Sequence, residues 1–228
     1  MDILAANPNL HEIVHMQIDP AQHSIADNYK LLTNLVVPRP IAWVTSQSQN
    51  GVINLAPFSF FNAIGANPLY IIISIGLTDA GEPKDTARNI LAGGEFVVNL
   101  VTEELFEAMN ISAADFPPVE SELDAANLRA SPSSRIKVPR IAEAQASLEC
   151  KLYSSQALGA NTLIIGEVVM FHVADHLIDQ RLHINNFAPI GRLGSPSVYC
   201  RTTDRFDVAR ISYAQWIRNN NELTSDKT

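Results

Sequence analysis

The segment Lys84-Asp85-Thr86-Ala87-Arg88-Asn89 sets an ammonium, a hydroxyl and a guanidinium at the start of a helical pattern. Free N–H groups at a helix start, the helix dipole and a nearby ammonium together favour a dianionic group such as a phosphate. Asp85 brings negative charge to the same place, so in this reading it turns inward as the N-cap of its own helix. Lys84, Thr86 and the backbone are then left for a ligand. Standing alone, the pattern describes a solvated, capped helix equally well.

A second constellation is Pro38-Arg39-Pro40-Ile41-Ala42-Trp43-Val44-Thr45-Ser46, followed by Asn54-Leu55-Ala56-Pro57-Phe58-Ser59-Phe60-Phe61-Asn62. Two adjacent strands would bring together hydroxyls (Thr45, Ser46, Ser59), Arg39 and an apolar aromatic stretch, a combination suited to a planar heterocycle with a polar tail. Pro57 has no N–H to give a ladder, which places its strand at an edge or a bulge, where backbone groups can face a ligand. Without its neighbours this segment also reads as a packed hairpin with a surface Arg.

His11-Glu12-Ile13-Val14-His15 spells H-E-x-x-H, which on a buried helix would offer two imidazoles to Zn2+ and Glu12 as general base. The pentad lies within the first 15 residues, runs into Asp19-Pro20 and has no evident third ligand, so it is read as a surface segment. His172, His176 and His183 cross a strand end and a loop and are read as core or solvated residues; no metal site is assigned. Cys150 alternates with Ala146, Leu148 and Leu152 on one strand face and is read as a core residue.

These groups need a scaffold, and the pattern supplies a β-rich one. Strands are expected at Ile41 to Ser46, Val52 to Leu55, Ser59 to Ile64, Leu69 to Ile75, Phe96 to Leu100, Ser147 to Tyr153 and Leu163 to Val173. Asn50-Gly51 predicts a tight hairpin turn with φ > 0 at both residues. Helices are expected at Asn28 to Leu35, at Thr86 to Leu91 with Gly93-Gly94 closing it, at Glu103 to Ile111 and at Ser212 to Asn219. The Pro-rich stretch from Ala113 to Ile141 is an excursion with one helical turn near Glu122 to Leu128. Many strands with few crossover helices predict a mainly β protein, a β-barrel with peripheral helices. Residues 1–28 form an N-terminal extension, 29–205 one domain, and 206–228 a C-terminal helix and polar tail.

The 228 residues are 46% hydrophobic and 18% charged, enough apolar content for a sizeable core. A net charge of -8 without a run of Lys or Arg excludes a nucleic-acid footprint and disfavours anionic lipid. No segment approaches the ~18 apolar residues of a membrane span. The start lacks a signal-peptide pattern and the two cysteines are unpaired in sequence, so a cytoplasmic protein is expected.

In order along the chain, Val37 to Ser46, Asn54 to Asn62, Lys84 to Ile90 and Gly94-Glu95-Phe96-Val97-Val98-Asn99-Leu100 resemble the flavin reductase-like family of FMN-binding split barrels. Gly166-Glu167-Val168-Val169, Gly191-Arg192-Leu193-Gly194 and Tyr199 continue the likeness, which runs from about Asn28 to Tyr199. The resemblance implies a homodimer with FMN near the subunit interface. It also implies hydride transfer from NADH or NADPH to flavin, then onward to free flavin, a monooxygenase partner or a ferric chelate. Thr45 and Ser46 would contact the phosphate or ribityl chain, and Ala56, Pro57, Phe58, Ser59 and Asn62 would line the ring. Lys84 and Thr86, beside Asp85, would hold the phosphate, and Arg39 would stand at the ring. Where several relatives carry a His, this sequence has Asn161-Thr162, with His183 or the Arg192 loop as substitutes. The alternatives are an FMN-holding electron carrier without NAD(P)H turnover and a zinc metallopeptidase through His11, Glu12 and His15.

Overall fold

The structure is a computed structural model that describes residues 13–194 and 196–218. Seven antiparallel strands form one curled sheet. In chain order they are β1 (Ala42–Gln47), β2 (Ile53–Phe58), β3 (Phe61–Ala66), β4 (Leu69–Gly76), β5 (Glu95–Asn99), β8 (Ala146–Leu158) and β9 (Asn161–Val173). Their spatial order is β2-β1-β5-β8-β9-β4-β3, so β2 and β3 are the edges. Period-2 alternation turns Ala42, Val44, Ile71, Ile73, Ile75, Phe96, Val98, Cys150 and Ile164 into a single interior core. Gly166 belongs to that inner face because a Cβ there would stand 2.5 Å from Cζ of Phe96. Helix α2 (Asp85–Gly93) packs Ala87 and Ile90 into the same core and ends at Gly94, left-handed at φ 72°.

The other face of β1 is buried as well. Ile41, Trp43 and Leu55 pack with Met109 of α3 (Phe106–Ile111), Leu123 of α4 (Glu122–Ala125), Ile141 of β7 (Arg140–Ile141) and Ile190. The excursion between residues 113 and 141 is therefore an outer layer over the β1–β2 half of the sheet, with β6 (Ala130–Ser131) paired to β7. Buried Asn99 ties the layers together: its amide N–H donates to the Trp43 carbonyl (3.0 Å), and its oxygen accepts from Ile141 N–H (3.0 Å) and Ser147 Oγ (2.9 Å). Fully buried Glu149 accepts from the N–H groups of Ser134 and Arg135 and pairs with His172. Burial alone would raise its pKa, but these partners outweigh it and hold the carboxyl below its usual range.

Several expectations need correction. Only Gly51 takes φ > 0 at the β1–β2 turn, where Gly51 N–H donates to the Ser48 carbonyl and Ser48 N–H to the Val52 carbonyl. The longer loop relieves Asn50 of the left-handed conformation that a two-residue turn would demand. Strand β2 runs on through Pro57 because an edge strand tolerates a missing N–H. Strands β8 and β9 extend beyond the expected ends; Ser154-Ser155-Gln156 carries no apolar alternation, since both faces of that stretch are exposed. Helix α1 (Ile25–Leu35) starts three residues early, where Ser24 Oγ accepts from Asp27 N–H. Residues 213–218 are helical with Tyr213 and Trp216 stacked at 5.9 Å, while Asn219 lies outside the described residues. A short strand pair, β10 (Gly191–Arg192) with β11 (Tyr199–Cys200), precedes this C-terminal segment.

Candidate functional site

The open edge of β2 forms one wall of a groove. Its outer N–H at Leu55 is taken by Glu122 Oε2 at 2.9 Å, and Pro57 has none to offer, so the edge presents a smooth wall. Two cavities of about 360 and 210 Å³ meet along it and share Pro57, Phe58 and Ala113. Together they fall within the size range of small-molecule sites.

The smaller cavity is built on the start of α2. Lys84 occupies the N-cap position and makes no side-chain cap bond, so the first-turn N–H groups have no side-chain acceptor there. This corrects the expected role of Asp85, which is the first helical residue and pairs with Arg88 one turn later. Thr86 is 1% exposed and accepts from Asn54 Nδ2 at 2.9 Å, which leaves its own hydroxyl proton to donate. Lys84 Nζ pairs with Asp115 at 3.2 Å. Glu122 stands at the same end, buried to 6% exposure, and burial pushes its carboxyl above the usual range despite the Leu55 N–H, with the Asp85 charge adding to the rise.

The larger cavity is lined by Tyr29 and Thr33 of α1, by Arg39, Ser59 and Met109, and by Arg192 and Tyr199. Arg39 donates Nη1 to the carbonyls of Thr33 and Val36 and its Nε to Ser59 Oγ at 3.4 Å. Burial, with the nearby Arg192 charge, pulls its pKa below the usual guanidinium range, and Tyr29 opposes this. Arg192 donates to Tyr199 OH and the Pro196 carbonyl, and its guanidinium lies 4.6 Å over the Tyr199 ring.

Of the residues singled out in the sequence, Ala56, Pro57, Phe58, Lys84, Asp85 and Thr86 meet at the smaller cavity, while Arg39 and Ser59 meet at the larger one. Thr45 and Ser46 reach neither. Adjacent strand residues point to opposite faces, and both are fully buried. Thr45 Oγ1 donates to the Pro139 carbonyl at 2.7 Å, and Ser46 Oγ accepts from Asn89 of α2 at 3.2 Å. Asn62 is exposed on the far edge strand β3, where its side chain accepts from Ala63 N–H. Asp115 and Glu122 went unrecognised because both come from the Pro-rich excursion, where no periodic pattern fixes what a residue faces. Asn161 opens β9 opposite Gly76, another residue at the smaller cavity. His11 and Glu12 lie outside the described residues, and His15 is exposed. Among the described residues no three His, Cys, Asp or Glu side chains gather to hold a metal ion. No described helix is long and apolar enough to cross a membrane.

Residues 34–203 match the model of the flavin reductase like domain. The structure is similar to nitrilotriacetate monooxygenase component B from Bacillus cereus, 41% identical, with a TM-score of 0.82 over 86% of this chain and 100% of that one. It is similar too to a 2-nitrobenzoate 2-nitroreductase from Pseudomonas fluorescens, 37% identical, with a TM-score of 0.80 over 87% of this chain and 98% of that one. An uncharacterized protein of Aquifex aeolicus is 45% identical over 168 residues, 73% of this chain and 86% of its own length.

Proposed function

We propose, from the premise that this chain belongs to the flavin reductase-like family, that it is an FMN-dependent oxidoreductase drawing hydride from NADH or NADPH. The observation that carries this reading is one continuous groove joining an uncapped helix start, with Lys84 and Thr86 beside it, to the apolar edge wall Ala56 to Phe58. The donor set fits the cofactor. A dianionic phosphate suits the α2 start, the Lys84 ammonium and the free Thr86 proton, while Pro57 and Phe58 offer a flat apolar surface for a ring.

When bound, the flavin would supply a two-electron acceptor that takes hydride directly from a nicotinamide, so the chemistry asks no acid or base of the protein. The residues bind and orient. Lys84 and Thr86 hold the polar tail, the β2 edge fixes the plane of the ring, and Glu122 keeps that edge in place by accepting from Leu55 N–H. Arg39, through Ser59 and the carbonyls at the end of α1, would stand beside the ring's far end.

A homodimer belongs to the same reading. Both faces of the outer half of β8 are exposed in the single chain; Tyr153, 60% exposed, packs against Tyr70 (ring centroids 4.5 Å apart) at the sheet end where Ile64 and Leu69 are also exposed, while Leu158, 57% exposed, lies at the other end of β8. Exposed apolar side chains gathered at a sheet end suit a contact surface. Onward electron transfer to a monooxygenase partner is supported by the likeness to component B of nitrilotriacetate monooxygenase.

Stopped-flow mixing of the FMN-loaded protein with NADH, and separately with NADPH, tests the reading. Loss of the oxidised flavin band at rates that match steady-state turnover is the expected result. Reduction by dithionite alone would leave an electron carrier and overturn the hydride-transfer role. Sedimentation equilibrium decides the dimer.

A further inference from the structure

The two cations of the larger cavity are arranged in a way that packing does not require. Arg39 and Arg192 face each other across a two-residue antiparallel bridge, each N–H donating to the other's carbonyl at 2.8 Å. Directly opposed residues of such a pair project to the same side, and like charges placed so are destabilising. Among the described residues no carboxylate lines the cavity they enter and neither guanidinium has an acidic partner. Arg39 gains partial compensation from the carbonyls at the C-terminal end of α1. Arg192 has the neutral oxygens of Tyr199 and Pro196 and the face of the Tyr199 ring. In a chain of net charge -8, a buried and a half-buried guanidinium with no acidic partner among the described residues make a site suited to an anion.

The walls say which anion. Tyr29, Phe58, Tyr199, Ile41 and Met109 surround the pair with apolar surface, in a cavity of about 360 Å³. Much of each guanidinium is already committed to protein oxygens, which leaves Nη2 of Arg39 and Nε of Arg192 without a protein acceptor among the described residues. That remainder matches the planar, four-site acceptor set of one carboxylate, while the aromatic walls suit a ring attached to it. We propose that the Arg39–Arg192 end of the groove binds the carboxylate of a small planar aromatic acid. This end adjoins the Lys84 end, sharing Pro57, Phe58 and Ala113 with it and, through Arg39, the far end of the proposed ring site, but the carboxylate reading rests on the two guanidiniums and not on the flavin reading.

Fluorine NMR with 4-fluorobenzoate and its neutral isostere 4-fluorobenzamide, added to the full-length protein, tests this. The benzoate is expected to bind saturably and the benzamide at least about tenfold more weakly, the loss that follows from removing one charge-assisted contact. Arg192→Gln is expected to weaken benzoate by a similar factor, and Arg192→Lys to fall between, since it keeps charge without the fork. Circular dichroism checks that the variants are folded; if Arg192→Gln is not, the benzoate-to-benzamide ratio of the parent decides alone. Equal binding of the two probes, no binding of either, or unchanged benzoate binding by folded Arg192→Gln would overturn the proposal. So would inorganic phosphate that binds at this end without being displaced by benzoate, which would mark a phosphate site instead. FMN titration of the same samples separates the two readings, because loss of flavin binding with benzoate intact sinks only the former.

Discussion

The two ends of the groove both present cations on an acidic protein, yet they are built differently. At the α2 end each cation has a counter-charge, Lys84 facing Asp115 and Arg88 facing Asp85, and the carboxyl of Glu122 is buried close by. At the α1 end Arg39 and Arg192 sit side by side with no carboxylate among the lining residues. What the α2 end adds is the backbone, the free N–H groups of a helix start that lacks a side-chain cap. In the proposed reading a dianion there would be recognised by aligned dipoles with one ammonium, whose pairing to exposed Asp115 is weak and easily exchanged for a ligand. At the other end recognition falls to side chains whose charge has been left open. Net local charge is therefore a poor guide to which end takes a phosphate, and direction of donors is a better one.

The largest effect that would break this comparison comes from Lys84→Ala. It is expected to weaken FMN by about 1.5 to 3 kcal/mol and leave riboflavin nearly unchanged, because only FMN carries the phosphate. Parallel fluorescence-quenching titrations with both ligands check it, and the same contrast produced by Arg192→Gln in place of Lys84→Ala would reverse the assignment of the ends. Thr86→Val should cost about 1 kcal/mol of FMN affinity, the worth of a neutral hydrogen bond. A thermal melt of that variant guards against a purely structural loss, since Asn54 would lose its acceptor.

Asp115→Asn sharpens the comparison from the opposite direction. Freeing Lys84 from its partner should tighten FMN by less than ~1 kcal/mol, the range of an exposed ion pair, and calorimetric titration would show the sign. The smallest effect is expected at Glu122. Its carboxyl is raised by burial, so the folded state holds its proton more tightly than the unfolded one, and stability falls as pH rises from the ordinary carboxylate range through the raised value. Glu122→Gln should therefore match the parent near pH 4 and melt higher than it at pH 8. A variant that melts lower at pH 8 would show that the charged bond to Leu55 N–H outweighs desolvation.

Much of this molecule was legible in the chain. The short runs rich in β-branched and aromatic residues at Ile41 to Ser46, Leu69 to Ile75 and Phe96 to Leu100 predict strands because such side chains pack well on a pleated, buried surface, whatever their neighbours are. Pro57 announced an edge, and Gly93-Gly94 a helix end, through backbone constraints that act within a few residues. The four ordered blocks matched the family to which the chain belongs.

Tertiary structure decided what local rules leave open. The burial of Thr45 and Ser46 follows from layers packed on both sides of β1, and no one-strand pattern distinguishes that from a strand with an open face. Asp85 is the first helical residue, its carboxylate paired with Arg88 along the helix, while Lys84 takes the cap position. Asp115 and Glu122 reach the groove only because the Pro-rich excursion folds over β2, through contacts 30 to 70 residues apart in sequence such as Lys84–Asp115 and Leu55–Glu122. The opposition of Arg39 and Arg192 depends on a bridge across most of the chain's length. Sequence patterns encode period and turn, which are local, while the charge balance of a groove is a sum over residues that only the fold brings together.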